Sequence, residues 1–389
     1  MPKVLVLGSG PNVLGQGAEF DKAGAAALGA LHDAGYETIV INSNPATVMT
    51  DTHSADRVYV EPVTRQFVSQ IIRQEMPDAI LATFGGQTAL NLVMELANDG
   101  LLSELHIKML GTPLNAIEQT EDRELFYNLL RNLQEPVPQA TVVEDPQDAV
   151  QFVQRVGWPV IVRPAYTLGG TGGGIAHSDK ALAAFVQNGI TLSPTGQVAV
   201  ERSIDGYREI EIELVRDHAD NTAVVAVLEN IDPVGIHTGD SIVVTPAQTL
   251  SHTELTRLRE AAIKITRALE IEGVCDVQFA VDPNSDAYYV IEVNPRLGRS
   301  AVLAETATGY PVARVTAMLA IGQSLADIPL SPAGATAPTT AASEPVLDYL
   351  VTKLPRWSYQ SVGADRRIGT QMKASGEVVA FGCSLEAVP

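Results

Sequence analysis

Cysteine is scarce in this sequence, and its scarcity excludes two kinds of protein. Only Cys275 and Cys383 occur among 389 residues, too few for a disulfide framework or for a metal centre built from thiolates. A reducing, cytoplasmic environment fits this composition. Long apolar runs are also missing, so we expect no membrane-spanning helix. No basic segment followed by an apolar stretch opens the chain, so we expect no signal peptide either.

Basic residues are also few, and their number bears on the partners. The chain has 26 Lys and Arg against 46 Asp and Glu, a formal net charge of −20. Such a surface repels a phosphate backbone, so we expect no nucleic-acid partner. An anionic substrate is still compatible with this charge, because a few arginines in a cleft can reverse the local field.

The first part of the chain alternates short apolar strands with helices. Aromatic residues are sparse while Ala, Val, Leu and Gly dominate, which is typical of proteins that stack helices on buried sheets. The pattern predicts helices at residues 23–34, 66–74 and 89–98. It predicts strands at residues 3–7, 38–42, 58–60, 79–82 and 108–110. This order favours an α/β fold with a parallel, doubly wound sheet.

The pattern then changes to an α+β arrangement. Helices are predicted at residues 121–133, 146–156 and 253–269. Strands are predicted at residues 140–143, 160–162, 206–216, 222–229, 274–281 and 288–293. Residues 331–343 are rich in Ala, Thr, Ser and Pro, which indicates a loop or linker. Globular composition returns from residue 344 to residue 385.

Two glycine clusters are candidates for phosphate binding. Residues 8–11 follow the first strand and resemble a dinucleotide fingerprint, but the spacing to Gly15 is irregular, and a tight turn explains them as well. The second cluster has five glycines among residues 169–174. Such a segment can form a mobile flap whose amides close over phosphate oxygens, or simply a long hairpin loop. Arg163 at its base favours the phosphate interpretation.

Three polar residues on two predicted strands have apolar residues next to them. Glu292 and Asn294 alternate with apolar neighbours and therefore share one face of their strand, and Gln278 can lie on the neighbouring strand. One carboxylate and two amide oxygens suit Mg²⁺ that nucleotide phosphates also hold. The alternative is an exposed polar face of a sheet. Arg296 and Arg299 follow directly, and they favour a site for a transferring phosphoryl group and a small anion.

Two further residues are ambiguous on their own. His237 lies in residues 235–241 and is a general base, a phosphate contact or a turn histidine, of which the last is favoured. Arg123 begins a charged helix and by itself indicates a solvated helix face.

Taken together and in order, these motifs resemble the large subunit of carbamoyl phosphate synthetase, in its N-terminal, carboxyphosphate-synthesising half. The resemblance covers nearly the whole chain, and its motifs lie at residues 8–11, 42–47, 85–91, 121–123, 168–174, 235–241, 292–299, 355–357 and 369–373. It implies a Rossmann-like pre-ATP-grasp domain at residues 1–115 and an ATP-grasp domain at residues 116–330. The latter has a small lobe (116–200) and a large lobe (201–330), and residues 331–389 form a linker and the C-terminal part of the unit.

The resemblance also implies ATP and Mg²⁺ or Mn²⁺ as cofactors, and it implies roles for individual residues. Gln278 and Glu292 would contact both the nucleotide and the metal. Arg123 and Arg163 would hold ATP phosphates, and Gly169 and Gly170 would lie in the flap above them. The adenosine pocket would be lined by Arg202, Ile204 and Glu209, and the nucleotide would also contact Gly235, Ile236 and His237. The metal would be held by Gln278, Glu292 and Asn294, and bicarbonate and carboxyphosphate by Arg296 and Arg299.

The implied reaction is the phosphorylation of bicarbonate by ATP to carboxyphosphate, which ammonia converts to carbamate. The implied partners are a glutaminase small subunit that supplies the ammonia and a second synthetase half. Arginine and pyrimidine biosynthesis are both open as the pathway, and so is an oligomer. The sequence spans one synthetase half, which leaves open a fragment, a split subunit or a paralogue without activity.

The sequence departs from the family pattern at three places. Glu305-Thr306 stands where a lysine usually precedes Ala-Thr-Gly, which predicts a lower positive charge near the anion site. Asn12 replaces an isoleucine near the ammonia passage, and Lys22 replaces an aromatic residue. Two other functions therefore remain open: another ATP-grasp ligase or carboxylase, and a non-catalytic ATP-binding subunit.

Overall fold

A computed structural model describes residues 1–167, 171–330, 339–358 and 368–384. Within these ranges no helix is both long and apolar enough to cross a membrane.

The N-terminal domain is built on a sheet of five parallel strands, as the sequence predicts. The strands are β1 (Lys3–Leu7), β2 (Glu37–Ile41), β3 (Arg57–Tyr59), β4 (Ala79–Leu81) and β5 (Lys108–Leu110). Helices α1 (Ala18–Asp33), α2 (Arg65–Glu75), α3 (Gly86–Asn98) and α4 (Leu101–Glu104) and a 3-10 turn (Val48–Thr50) connect them. The order β3-β2-β1-β4-β5 places the change of winding direction between β1 and β4, where such sheets leave a crevice.

Both faces of this sheet are buried, as the central strand β1 shows: its four consecutive apolar residues, 4–7, are all buried. Val4 and Val6 pack in one cluster with α1, while Leu5 and Leu7 pack in another with α2 and α3. Strands covered on two faces read as continuous apolar runs rather than as alternating ones.

Two helices join this domain to the next, where the sequence predicts a single helix over residues 121–133. They are α5 (Leu114–Glu121) and α6 (Arg123–Asn132). Helix α5 was not predicted from the sequence. The predicted helix is α6, which begins two residues later than expected because Asp122 has an extended backbone. Its carboxylate accepts the backbone N–H groups of Glu124 and Leu125 at 2.9 Å, which makes it the N-cap of α6. Arg123 is thereby fixed as the first residue of a helix.

The small lobe has a four-stranded antiparallel sheet in the order β6-β9-β7-β8. The strands are β6 (Ala140–Val143), β7 (Val160–Pro164), β8 (Gly174–Ala176) and β9 (Val198–Arg202), and the helices are α7 (Pro146–Val156) and α8 (Asp179–Leu192). The glycine-rich segment connects β7 to β8, so Arg163 lies in the strand that leads into it.

The large lobe has a seven-stranded antiparallel sheet in the order β14-β13-β10-β11-β12-β17-β18. Its strands are β10 (Arg208–Arg216), β11 (Thr222–Asn230), β12 (Val243–Thr245), β13 (Gly273–Val281), β14 (Tyr288–Asn294), β17 (Leu350–Arg356) and β18 (Gly376–Gly382). Helices α9 (His252–Ala268), α10 (Arg299–Thr308) and α11 (Val312–Ala320) accompany it. A two-stranded ribbon, β15 (Pro329–Leu330) with β16 (Thr339–Thr340), includes part of the predicted linker.

The N-terminal domain and the large lobe share one hydrophobic core. Residues of β1 and α1 pack in the same cluster as residues of β11, α10 and α11. Polar contacts cross the same boundary: Leu297 donates its N–H to the carbonyl of Thr83 at 3.2 Å, and the guanidinium of Arg299 lies 2.8 Å from the carboxylate of Glu19. The two parts therefore position each other.

Candidate functional site

A cleft of about 220 Å³ lies between the two lobes, beside the N-terminal domain. All three parts of the fold contribute to its walls. Most of the site residues named from the sequence line this one cleft: Arg123, Arg163, Glu209, Gly235, Ile236, His237, Gln278, Glu292, Asn294, Arg296 and Arg299.

Two of the named residues have other positions. Arg202 is exposed at the end of β9 and is not among the residues that line the cleft. Ile204 is buried in a small apolar cluster with Val234 and Ala280, against which Tyr207, Tyr289 and Ile291 pack. Because Val234 and Ile291 also line the cleft, Ile204 lies directly behind an apolar wall of it. Gly169 and Gly170 lie outside the described residues.

Polar side chains on three neighbouring strands form a grid, and the part of it on β13 and β14 lines the cleft. On β13 and β14, Gln278 lies opposite Glu292, and Asp276 lies opposite Asn294. Strand β10 adds Glu211 beside Gln278 and Glu213 beside Asp276. Since side chains two residues apart share one face of a strand, the grid has two rows: Glu211–Gln278–Glu292 and Glu213–Asp276–Asn294.

Glu292 is held ionised by the arginines around it. Arg163 donates from Nη2 to Glu292 Oε2 at 2.5 Å. Burial alone would raise the pKa of Glu292, but the guanidinium groups of Arg163, Arg123 and Arg296 lower it below its ordinary value. The charges of Glu201 and Glu292 in turn outweigh burial and raise the pKa of Arg163. Glu292 is therefore a carboxylate at neutral pH and open to the cleft, with 36% of its side chain accessible.

The residues present fit a magnesium ion. Glu292 supplies a carboxylate, and Gln278 and Asn294 lie beside it on the same sheet face. These are hard oxygen donors, the kind that Mg²⁺ takes together with nucleotide phosphates. Among the described residues no group of three or more His, Cys, Asp or Glu is placed to hold a metal, so the fit depends on the two amides.

Strand β10 adds three acidic residues that the sequence pattern did not single out as a group. Glu209, Glu211 and Glu213 alternate with Ile210 and Ile212, and all three are buried. Burial, followed by the charge of a neighbouring acid, raises the pKa of Glu209 and of Glu213 well above the ordinary value. Of the three, Glu209 lines the cleft, and all three are shielded from solvent.

His237 makes the hydrogen bond of a turn histidine. Its Nδ1 accepts the backbone N–H of Gly239 at 3.0 Å, while the ring also lines the cleft. Burial lowers the pKa of His237 to about 4. The imidazole is thus neutral at pH 7 and carries no proton to donate as an acid from Nδ1.

The lowered pKa of His237 predicts a pH dependence of stability. The unfolded chain protonates this residue near pH 6.5 and the folded chain near pH 4, so the contribution is complete above pH 6.5 and is lost as the pH falls toward 4. We expect a loss of roughly 1–3 kcal/mol, reduced because the ring is partly accessible. Urea unfolding at pH 7 and pH 4 measures it.

The matched control for this pH dependence is His237→Asn, whose Oδ1 can replace Nδ1 as the acceptor for Gly239. The buried acids titrate in both proteins and cancel in the difference between them. A difference in unfolding free energy that stays constant between pH 7 and pH 4 contradicts the expectation.

A segment from the C-terminal part of the chain closes one side of the cleft. Residues 368–375, which we call the strap, place Thr370 in the cleft wall. Asp240 holds the strap, because its carboxylate accepts the backbone N–H groups of Lys373 at 2.8 Å and Ala374 at 2.5 Å. It also accepts the indole N–H of Trp357 at 3.0 Å. The strap belongs to the motifs at residues 355–357 and 369–373, for which the sequence indicated no role.

The first glycine cluster is closed by the protein itself. A side chain at Gly8 would lie 2.7 Å from the side chain of Asn42. Asn42 Oδ1 accepts the N–H of Gly10 at 3.1 Å, and its Nδ2 donates to Asp21 at 2.8 Å. Asn42 therefore fills the space beside Gly8 and accepts the backbone N–H of Gly10, both of which a phosphate would need. The tight-turn interpretation of residues 8–11 is favoured.

Two of the departures from the family pattern lie together. Lys22 on α1 and Glu305 on α10 form an ion pair, with Nζ 3.9 Å from Oε1. Neither residue is among those that line the cleft. This ion pair therefore joins α1 to α10 outside the cleft lining.

Comparison with known proteins agrees with this architecture. Residues 122–328 match the model of the carbamoyl-phosphate synthase L chain, ATP binding domain. Residues 1–119 match that of the carbamoyl phosphate synthase preATP-grasp domain.

Solved structures of other enzymes share the fold. Biotin carboxylase from Campylobacter jejuni has 20% identity and a TM-score of 0.67, over 91% of this chain and 75% of that one. The biotin carboxylase domain of 2-oxoglutarate carboxylase from Hydrogenobacter thermophilus, with MgADP, ADP and bicarbonate, has 15% identity and a TM-score of 0.71, over 97% and 84%. N5-carboxyaminoimidazole synthetase from Staphylococcus aureus, complexed with ADP, has 15% identity and a TM-score of 0.64, over 99% and 94%. At these identities the likeness shows the ATP-grasp fold alone.

Proposed function

Since this chain belongs to the carbamoyl-phosphate synthase L chain family, we propose that it is a carboxyphosphate-synthesising module. In this proposal Mg-ATP phosphorylates bicarbonate, and ammonia converts the carboxyphosphate to carbamate. The ammonia comes from glutamine through a glutaminase partner, and a second synthetase half uses the carbamate. The reaction belongs to arginine or pyrimidine biosynthesis in the cytoplasm.

One observation carries the proposal. The pairing of β13 with β14 sets Gln278 opposite Glu292 and brings Asn294 to the same face, in a cleft that Arg163 and Arg296 also line. A site of this composition has oxygen donors for a divalent ion beside fixed guanidinium groups for anions. Phosphoryl transfer needs little else, because orientation and charge neutralisation supply most of the rate.

The arginines divide the work of holding anions. Arg123, at the first position of α6, and Arg163, at the base of the glycine-rich segment, are placed to hold ATP phosphates. Mg²⁺, when bound, neutralises the charge on those phosphates. Arg296 and Arg299 would hold bicarbonate so that one of its oxygens faces the γ-phosphorus. A closed cleft would then protect carboxyphosphate from water.

Isotope transfer tests the proposed reaction. In the first step a bicarbonate oxygen forms the new bond to phosphorus and ADP leaves. When ammonia attacks the carbonyl carbon, the carbon–oxygen bond breaks, and phosphate keeps that oxygen. We therefore expect ¹⁸O from labelled bicarbonate to appear in phosphate, together with ADP release that rises on adding bicarbonate to a CO₂-depleted assay with ammonium present.

The same assay distinguishes the other functions. ADP release that requires an acid other than bicarbonate would identify another ATP-grasp ligase. Retention of Mg-ATP without turnover would identify a non-catalytic ATP-binding subunit. Label-free phosphate in a bicarbonate-stimulated reaction would contradict the proposed chemistry.

A further inference from the structure

We infer that Asp276 is a positioning residue, which turns the amide side chains of Gln278 and Asn294 so that their oxygens face the metal. This inference rests on the proposed function, because it concerns the divalent ion of that same site. It assigns a function to an acidic residue that the sequence motifs did not point to.

The hydrogen bonds of Asp276 carry the inference. Its Oδ2 accepts from Gln278 Nε2 at 3.0 Å and from Asn294 Nδ2 at 3.1 Å. One carboxylate oxygen therefore anchors both amides of the candidate metal set. Gln278 is two residues farther along the same strand, and Asn294 lies directly opposite on β14, so the backbone register fixes all three relative positions.

A carboxylate at this position leaves the amides one orientation. Oδ2 of Asp276 is the acceptor of both bonds, whereas an amide has a donor side and an acceptor side. Both NH₂ groups must therefore face Asp276, and both carbonyl oxygens turn away from it. Asn294 confirms this sense, because its Oδ1 accepts from Arg296 Nη2 at 3.0 Å on the other side. Without such an anchor an amide could offer a metal its nitrogen instead of its oxygen.

The surroundings of Asp276 indicate that packing does not explain it. The residue is 3% exposed, and its second oxygen, Oδ1, is buried without a hydrogen-bond partner among the described residues. Leaving a buried polar atom unpaired costs stability. Neighbours on the other face of the strand, Cys275 and Val277, pack in the apolar core of the large lobe, whereas Asp276 lines the cleft.

Outer contacts of this kind have a measurable effect on metal affinity, commonly about 10- to 100-fold. Asp276→Ala removes the acceptor for both amides. We expect it to weaken binding of Mn²⁺ by about that factor in the presence of the non-hydrolysable ATP analogue AMP-PNP. The free Mn²⁺ signal in electron paramagnetic resonance measures the affinity directly, without turnover.

Two matched variants separate position from charge. Asp276→Asn cannot carry a charge but keeps one acceptor oxygen, and in the structure a single oxygen accepts both bonds. We therefore expect the Mn²⁺ affinity of this variant to lie within about threefold of that of the unsubstituted chain, a much smaller loss than for alanine. Glu213→Gln replaces the carboxyl group next to Asp276 in the grid by an amide of the same shape. It leaves the hydrogen bonds of both amides to Asp276 in place, and we expect the same small change. If Asp276→Ala does not fold, as judged by near-ultraviolet circular dichroism, Asp276→Leu replaces it as a variant that fills the space without an acceptor.

Each pattern of affinities decides the question. Weak binding by Asp276→Ala with restoration by Asp276→Asn supports positioning. Equal weakening of both variants shows that the charge matters and overturns the inference, as does unchanged affinity in Asp276→Ala. If the original chain retains no Mn²⁺ with AMP-PNP, the proposed function fails and the inference with it. If the inference alone fails, the original chain still binds Mn²⁺ with AMP-PNP and only the affinities of the Asp276 variants differ from those expected.

Discussion

Replacing Glu292 by alanine is expected to reduce bicarbonate-dependent ADP release by about 10²- to 10³-fold or more, the size of effect seen when one fixed electrostatic contact is removed from an active site. Glu292 is the one carboxylate of the candidate metal set, and the arginines beside it keep its pKa low. An alanine supplies no oxygen for the ion, and it removes the acidic partner of Arg163 Nη2, whose Nε lies 3.9 Å from the carboxylate of Glu201. Steady-state ADP release, with Tm measured alongside, tests this.

Two controls sharpen the Glu292 experiment. Glu292→Gln keeps one oxygen and the shape of the side chain, so it should lie between alanine and the original protein. Glu260→Ala removes a carboxylate from an exposed position of α9, and it should change neither activity nor Tm. An alanine variant that keeps more than about a tenth of the activity would remove Glu292 from the site.

Arg296→Met is expected to produce the second large effect, a loss of about 10²- to 10³-fold in turnover with a raised KM for bicarbonate. Arg296 extends from the end of β14 into the cleft, and its Nε is buried without a partner among the described side chains. Such a group is available for a small anion. Asp276 still anchors Asn294 in this variant, so nucleotide affinity, measured by calorimetry, should fall far less than turnover.

Lysine at the same position tests the geometry of the contact. Arg296→Lys retains the charge but not the planar fork that matches a carboxylate-like anion, so partial recovery is expected. Arg65→Met, on the exposed surface of the N-terminal domain where Arg65 pairs with Asp99, serves as the control for loss of one positive charge. An unchanged bicarbonate KM in Arg296→Met would contradict the role in anion binding.

The α/β order of the first domain could be read from the sequence because its strands are short, apolar and regularly spaced by helices. Helix α8 could not. It contains Gly189, a weak helix former, which lowers the helical signal of the segment. The structure shows the reason for this glycine: a side chain there would lie 2.9 Å from Val198 and 3.0 Å from Pro164. Close packing of α8 on the small-lobe sheet requires the residue that local propensity disfavours.

The candidate site was only partly visible in the sequence, for a related reason. Alternation of Glu292 and Asn294 with apolar residues indicates that they share a face of the strand, and the register places Gln278 beside them. The same alternation occurs at Glu209, Glu211 and Glu213, and by itself it is equally compatible with a solvated face. Period two shows which side chains point together, but not what covers them. The placement of the two lobes, which no local pattern contains, puts Gln278, Glu292 and Asn294 in the wall of a cleft.

Long-range placement also explains why the strap had no predicted role. Its motif is 133 residues away along the chain from Asp240, the residue that binds it. No periodicity links two segments so far apart, and the link depends on β17 and β18 joining the far edge of the large-lobe sheet.

The shared core of the N-terminal domain and the large lobe restricts how proteins of this architecture can be recombined. Alanine and valine side chains from α1, α10 and α11 interlock in it without an intervening layer of water-exposed residues. A chimera that exchanged one partner alone would meet methyl groups of the wrong shape, and mismatches of this kind cost about 1–3 kcal/mol each. We therefore expect that the N-terminal domain and the large lobe must be exchanged together in a chimera.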